Sequence, residues 1–89
     1  MTPHYIHIMY IIWLLNGTDK YISVSTIYRT FLKVNKSAMV RRLNQDLEII
    51  VNNGYLIRHE IYSQYRITLQ GINILNISDE TIRKERWNR

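Results

Sequence analysis

The chain of 89 residues contains no cysteine, one proline and three glycines. Without cysteine it has no disulfide bond, no thiolate metal ligand and no cysteine nucleophile. Its composition is 46% hydrophobic and 21% charged, which excludes a disordered or a fibrous protein. Because a chain this short builds only one hydrophobic core, we expect a single domain over residues 1–89.

The sequence also lacks a hydrophobic run of membrane-spanning length. Its most apolar stretch, from Tyr5 to Leu15, is eleven residues long, well short of the roughly 20 that a membrane helix needs. This stretch has no basic flank before it and no small-residue cleavage site after it, so it is not a signal peptide. We therefore expect a cytoplasmic protein without a membrane partner.

Motifs that carry enzyme chemistry are missing as well. The seven acidic residues are scattered, and no Ser/His/Asp grouping, glycine-rich phosphate loop or Walker pattern occurs. His4 and His7 have a spacing that can share a metal ion, but a third and a fourth ligand are not evident. We expect no enzyme activity, no metal, no cofactor and no small-molecule ligand.

Positive charge is in excess. Twelve Lys and Arg residues face seven Asp and Glu residues, which gives a net charge of +5. Between Asp19 and Asp46 there is no acidic residue, while basic residues accumulate there: Lys20, Arg29, Lys33, Lys36, Arg41 and Arg42. Such a segment is typical of a surface that binds a nucleic-acid backbone.

The first half of the chain shows helical periodicity. Thr2-Pro3 and Gly17 delimit a first helix over residues 1–16 that is apolar on both sides. A short strand at residues 21–24 precedes a second helix that Ser23 or Ser25 caps, with these positions inward: Val24, Ile27, Tyr28, Phe31 and Leu32. A third helix ends at Asn52-Asn53-Gly54 and has its own inward set: Val40, Leu43, Leu47 and Ile50.

In the second half the period changes to two. Residues 55–68 predict a hairpin that turns near residues 62–64, without an Asn-Gly signal to fix its register. Thr68 then caps a C-terminal helical segment over residues 69–89, which either bends near Ser78 or continues straight. Its inward residues are Leu69, Ile72 and Leu75, with Ile74 and Ile77 as further candidates. The fold class is α+β.

A spaced pattern accompanies this order of elements: Leu43, Leu47, Ile50, Gly54 and Leu56, then Tyr65-Arg66-Ile67-Thr68 and Gly71. From Val24 to Leu75 it resembles the winged helix-turn-helix transcriptional regulators. In size and composition the chain is also similar to the small winged-helix proteins of viruses and plasmids of thermophilic archaea, in which case it acts in the host cytoplasm. The stretch from Phe31 to Val40 is longer than the family's tight turn.

The resemblance implies a three-helix core with a helix-turn-helix at residues 24–54, a β-hairpin wing and a C-terminal helix. It implies that a recognition helix over about residues 37–53 enters the DNA major groove. Projection of that helix leaves these residues outward or at the flanks: Ser37, Ala38, Arg41, Arg42, Asn44 and Gln45. Arg41 and Gln45 are the candidate base readers.

Phosphate contacts are expected around this helix. Lys36 and Ser37 lie near its start, where free amides hold a phosphate. Arg58 and Arg66 lie on the wing strands, where the resemblance implies contacts with the DNA backbone or the minor groove, and His59 lies between them.

Ile6, Tyr10 and Trp13 form an apolar stripe on the first helix that a lone small domain does not cover. We therefore expect a homodimer with an interface that includes this stripe and Trp87. The open alternative is that the C-terminal segment, with Ile82 and Trp87, covers part of the stripe within one chain.

The sequence predicts a sequence-specific protein that binds double-stranded DNA, a transcription regulator acting as a homodimer. The first alternative is a winged-helix module for protein–protein interaction that does not bind DNA. A further alternative, binding of single-stranded DNA or RNA, requires exposed aromatic side chains on a sheet. It ranks lower because most of the tyrosines have core-like spacing.

Overall fold

A computed structural model describes residues 3–34 and 42–76 of the chain. The elements are, in chain order, α1 (Pro3–Leu14), β1 (Ile22–Ser23), α2 (Val24–Val34), α3 (Leu43–Asn52), β2 (Leu56–Arg58) and β3 (Gln64–Ile67). A fourth helix, α4, begins at residue 69 and is described as far as residue 76. The fold class is α+β, as the sequence predicts.

The three strands form one antiparallel sheet in the order β1-β3-β2. Leu56 pairs with Ile67 and Arg58 with Tyr65, while Ile22 of β1 pairs with Tyr65 from the other side. The buried side chains of this sheet lie on the face toward the helices, and alternation places Ile57 and Arg66 on the opposite face. The predicted hairpin is thereby confirmed, with residues 59–63 as its loop.

Helix α1 runs through the middle of the fold. It packs against α2, α3 and β3, and α4 lies beside its Tyr10 and Trp13. Ile8, Met9 and Ile12 have no exposed surface. A helix with neighbours on several sides has few positions left for polar residues, which explains why α1 is apolar nearly all round.

Side-chain caps begin two of the helices, as predicted. The Ser23 hydroxyl accepts a hydrogen bond from the Thr26 amide at 3.3 Å, at the start of α2. The Thr68 hydroxyl accepts from the Gly71 amide at 3.0 Å and donates to the Gly54 carbonyl at 2.7 Å. Thr68 therefore caps α4 and also ties it to the end of α3.

Two positions expected to point inward are exposed instead: Tyr28 on α2 and Leu69 on α4. In α4 the contact with the sheet is made at Gly71, where an added Cβ would lie 2.4 Å from the Tyr55 carbonyl oxygen. Leu69 is two residues earlier, which is about 200° around the helix from that contact. In α2 the fully or nearly buried pair is Ile27 and Phe31, and Tyr28 lies at the edge of that face.

The same substitution, leucine to alanine, at Leu47 and at Leu69 tests which side of α4 faces solvent. Leu47 has no exposed surface, so Leu47→Ala removes buried contacts and should lower the free energy of unfolding by about 2–5 kcal/mol. Leu69 is 80% exposed, so Leu69→Ala should change it by less than about 0.5 kcal/mol. Urea denaturation followed by circular dichroism measures both, and equal losses would contradict the assigned rotation of α4.

Candidate functional site

Helix α3 has one buried face and one exposed face. The buried side chains are Leu43, Asp46, Leu47 and Ile50. The exposed ones include Asn44, Gln45 and Glu48. The sequence predicts Gln45 to point outward and Asn44 to lie at the flank of the helix. Arg42, which directly precedes α3, is exposed as well. The apolar residues of the buried face hold the exposed amide side chains on a rigid support.

Asp46 is the one polar side chain on the buried face of α3. Its carboxylate Oδ2 lies 2.7 Å from Nε2 of His4 in α1. The His4 ring also packs edge-on against Phe31 of α2, with 5.7 Å between the ring centroids. A buried carboxylate is costly unless it is paired, so this contact fixes α3 relative to α1 and α2.

Glu48 connects the exposed face of α3 to the hairpin. Its Oε1 accepts a hydrogen bond from the Tyr65 hydroxyl at 3.1 Å and lies 3.5 Å from Nε of Arg58. Arg58 therefore lies beside the exposed face of α3. The sequence did not single out Glu48, although its position three residues after Gln45 places it on the same side of the helix.

The environment of Tyr65 changes its acidity. Burial raises the pKa of the Tyr65 hydroxyl above 10.0, and the hydrogen bond to Glu48 and the Glu48 charge raise it further. The nearby Arg58 lowers the pKa and offsets part of this effect. In the usual range of pH, Tyr65 is therefore a neutral donor that links β3 to α3.

The Arg66 side chain lies away from Arg58 and from α3. On the opposite face of the sheet, its Nη2 donates to the Thr18 carbonyl at 3.1 Å, and its guanidinium lies 5.5 Å from the centre of the Tyr21 ring. Its Nε is buried and has no hydrogen-bond partner. The Arg66 side chain is thus held by contacts within its own chain. The sequence, in contrast, predicts the same role for Arg66 and Arg58, contact with the DNA backbone or the minor groove.

The stripe predicted on α1 is only partly exposed. Ile6 is buried with 8% of its surface exposed, so its assignment to an exposed stripe is wrong, because α1 packs within the core at that point. Tyr10 is half-buried, and a cavity of about 20 Å³ separates it and Trp13 from Ile72 and Leu75 of α4. Trp13 remains 40% exposed, next to the exposed Leu14.

Several predicted site residues lie outside the described residues: Lys36, Ser37, Ala38, Arg41 and Trp87. Within the ranges 3–34 and 42–76, no three His, Asp or Glu side chains come together as metal ligands would. No helix in these ranges has the length and hydropathy to cross a membrane.

Comparisons with protein-family models, with curated proteins and with solved structures give no match for this chain. The candidate site is therefore defined by the geometry of this chain alone. It consists of the exposed face of α3, with Asn44, Gln45 and Glu48, and of Arg58 on the adjoining strand β2.

Removal of the Tyr65 hydroxyl tests the link between α3 and the hairpin. Tyr65→Phe should lower the free energy of unfolding by about 1 kcal/mol at neutral pH, because the hydrogen bond to Glu48 is lost. The wild type has the full contribution below pH 10.0 and loses it as the pH rises through the raised pKa of Tyr65. The difference between the two proteins should therefore shrink above that pH.

Urea denaturation at several pH values from neutral to alkaline measures this difference. Tyr62→Phe is the matched control, because the Tyr62 side chain is 59% exposed and should behave as the wild type does. A difference that stays constant across the alkaline range would contradict the assigned role of Tyr65.

Proposed function

We propose that this chain binds double-stranded DNA with sequence specificity, as a homodimeric transcription regulator of the winged helix-turn-helix type. In this proposal α3 enters the major groove, and the hairpin lies on the DNA backbone or at the minor groove. The proposal depends above all on one surface, the exposed polar face of α3 that the core holds from behind.

The chemistry of that face suits base recognition. Asn and Gln side chains form paired hydrogen bonds with adenine in the major groove, and Asn44 and Gln45 are both exposed on α3. The opposite side of the helix is anchored by Leu43, Leu47 and Ile50. A rigid support of this kind is what the reading of base edges requires.

The order of elements supports the same proposal. The chain runs helix, strand, helix, helix and hairpin, and then begins α4. The last hairpin strand lies in the centre of the sheet and pairs with the short strand β1. Because β2 packs against α3, insertion of α3 into the major groove would bring the hairpin close to the same DNA duplex.

Charge supports a polyanionic partner. The net charge is +5, and Lys20, Arg29 and Lys33 are exposed. The negative charge of Glu48 on the proposed DNA face is offset by Arg58. By their positions in the sequence, the remaining proposed contact residues are Lys36, Ser37, Ala38, Arg41 and Arg42.

A protein-interaction module without DNA binding is the alternative. Glu48 and Ile49 favour it, because the Glu48 carboxylate repels DNA phosphates and the exposed Ile49 suits an apolar contact with a protein partner. A gel-shift experiment with genomic fragments at low and moderate salt separates the two functions, since binding to DNA must weaken as salt rises.

Replacement of Gln45 tests the proposed base-reading face. Gln45→Ala should weaken binding to the preferred site by about 1–3 kcal/mol and relax discrimination at one base pair. The measurement is selection of bound sites from random DNA, repeated with each variant. Gln70→Ala removes an exposed glutamine from α4 and should leave the selected motif unchanged. A uniform loss of affinity with an unaltered motif would show that Gln45 does not read a base.

The proposed dimer uses the part of α1 that stays exposed. Trp13→Glu should convert a dimer into a monomer, because it places a charge in an interface formed by Trp13, Tyr10 and Leu14. Sedimentation velocity at micromolar concentration measures the mass, and Leu69→Glu is the control on a different exposed surface. A wild type that sediments as a monomer would end the dimer proposal.

A further inference from the structure

The loop at the tip of the hairpin is built around the ring of His59. Nδ1 of His59 accepts hydrogen bonds from the backbone amides of Ile61, at 3.1 Å, and of Tyr62, at 3.2 Å. The loop is closed by two further bonds, from the His59 amide to the Gln64 carbonyl and from the Gln64 amide to the Tyr62 carbonyl, both at 2.8 Å. One side-chain nitrogen thus organises two of the five loop residues.

The ring of His59 packs against two tyrosine rings. The centroid of the Tyr21 ring lies 5.0 Å away in an edge-on arrangement, and that of the Tyr62 ring lies 5.2 Å away. The Arg66 guanidinium lies on Tyr21 beside this cluster. Arg58 and Glu60 flank His59 in the chain, Arg58 next to Glu48 and Glu60 exposed to solvent. The contacts with Tyr21 and Tyr62 fix the direction of the ring nitrogens.

An accepting ring nitrogen defines the protonation state of the histidine. A neutral imidazole has one N–H and one free lone pair, so Nδ1 accepts when the proton is on Nε2. A protonated imidazole carries N–H groups on both nitrogens and accepts nothing. In that state the amides of Ile61 and Tyr62 would face another donor, and the loop would lose both bonds.

We propose that His59 is the positioning residue of the hairpin tip, which keeps its shape only while His59 is neutral. The tip presents two large apolar side chains, Ile61 with 77% and Tyr62 with 59% of its surface exposed. As the pH falls and His59 takes up a proton, the loop opens and this pair is no longer held in a defined position. Its importance for DNA binding rests on the function proposed above, but the geometry of the tip does not.

Two substitutions of His59 distinguish the loss of the hydrogen-bond acceptor from a change in protonation state. In His59→Asn a side-chain oxygen replaces Nδ1 as an acceptor for the amides that follow, as in an Asx-turn, and this oxygen does not titrate in the range of histidine. His59→Ala removes the acceptor altogether. His7→Asn is the control for the loss of an exposed histidine from another part of the chain.

Hydrogen-exchange protection factors of the Ile61 and Tyr62 amides, measured by NMR from about pH 8 to about pH 5, report the state of the loop. Wild type and His59→Ala should differ by up to about tenfold at the upper end of this range. Protection in the wild type should fall on acidification, because a proton on Nδ1 removes the acceptor of both amides, while His59→Asn should stay protected. The proposal is overturned if His59→Asn loses protection as the wild type does, or if His59→Ala stays protected.

Affinity for duplex DNA at the two ends of this range gives a second readout. An added positive charge on its own should strengthen binding to DNA, whereas loss of the tip should weaken it, so the two effects have opposite signs. We expect acidification to weaken the affinity of the wild type for DNA by a larger factor than it weakens the affinity of His59→Asn.

A wild-type affinity that rises on acidification relative to His59→Asn would instead identify the protonated His59 ring as a phosphate ligand, and it would refute the expected contribution of an ordered tip to DNA binding. A wild type that binds no DNA at any pH would refute the proposed function alone. In that case the exchange measurements still decide the role of His59 at the tip.

Discussion

Burial of α1 is the constraint on which the rest of the structure depends. This helix has almost no polar face, and Ile8, Met9 and Ile12 are completely removed from solvent. Transfer of such side chains out of water contributes about 1.5–3 kcal/mol each, and one neighbouring helix cannot cover them all. Helices α2 and α3 and strand β3 therefore pack around α1, and α4 lies beside its remaining side. This arrangement turns the apolar side of α3 inward and leaves Asn44 and Gln45 exposed.

A single junction then fixes the hairpin and α4 relative to α3. Gly54 ends α3 with a φ of 84°, a conformation that side-chain-bearing residues rarely adopt. Its carbonyl accepts from Thr68, which also caps α4, and Gly71 approaches the Tyr55 carbonyl too closely for a side chain. Because both ends of the hairpin meet at this junction, its direction follows from that of α3. Glu48 can then reach Tyr65.

The elements that sequence alone predicts are those that local chemistry determines. The inward residues of α3 repeat at helical spacing, and the caps at Ser23 and Thr68 depend on side chains near each helix start. The rotation of α4 about its axis is not determined locally, because it depends on the contact between Gly71 and the carbonyl of Tyr55, which is distant in sequence. The prediction that Leu69 points inward is therefore wrong. The prediction that Ile6 is exposed is wrong for a related reason. When a helix is apolar all round, its sequence does not indicate which of its sides packs against the rest of the chain.

The candidate site divides in the same way. Helical projection is enough to place Gln45 outward and Asn44 at the flank of α3, whereas the roles of Arg58 and Arg66 depend on strand register. Side chains alternate along a strand, so a slip of one residue between the two strands would place Arg58 opposite Arg66, with both arginines on the same face. The observed register pairs Arg58 with Tyr65, on the side of Glu48, and turns Arg66 toward Tyr21 and Thr18. One arginine thus offsets the charge of Glu48 on the α3 face, and the other supports the sheet behind the hairpin tip.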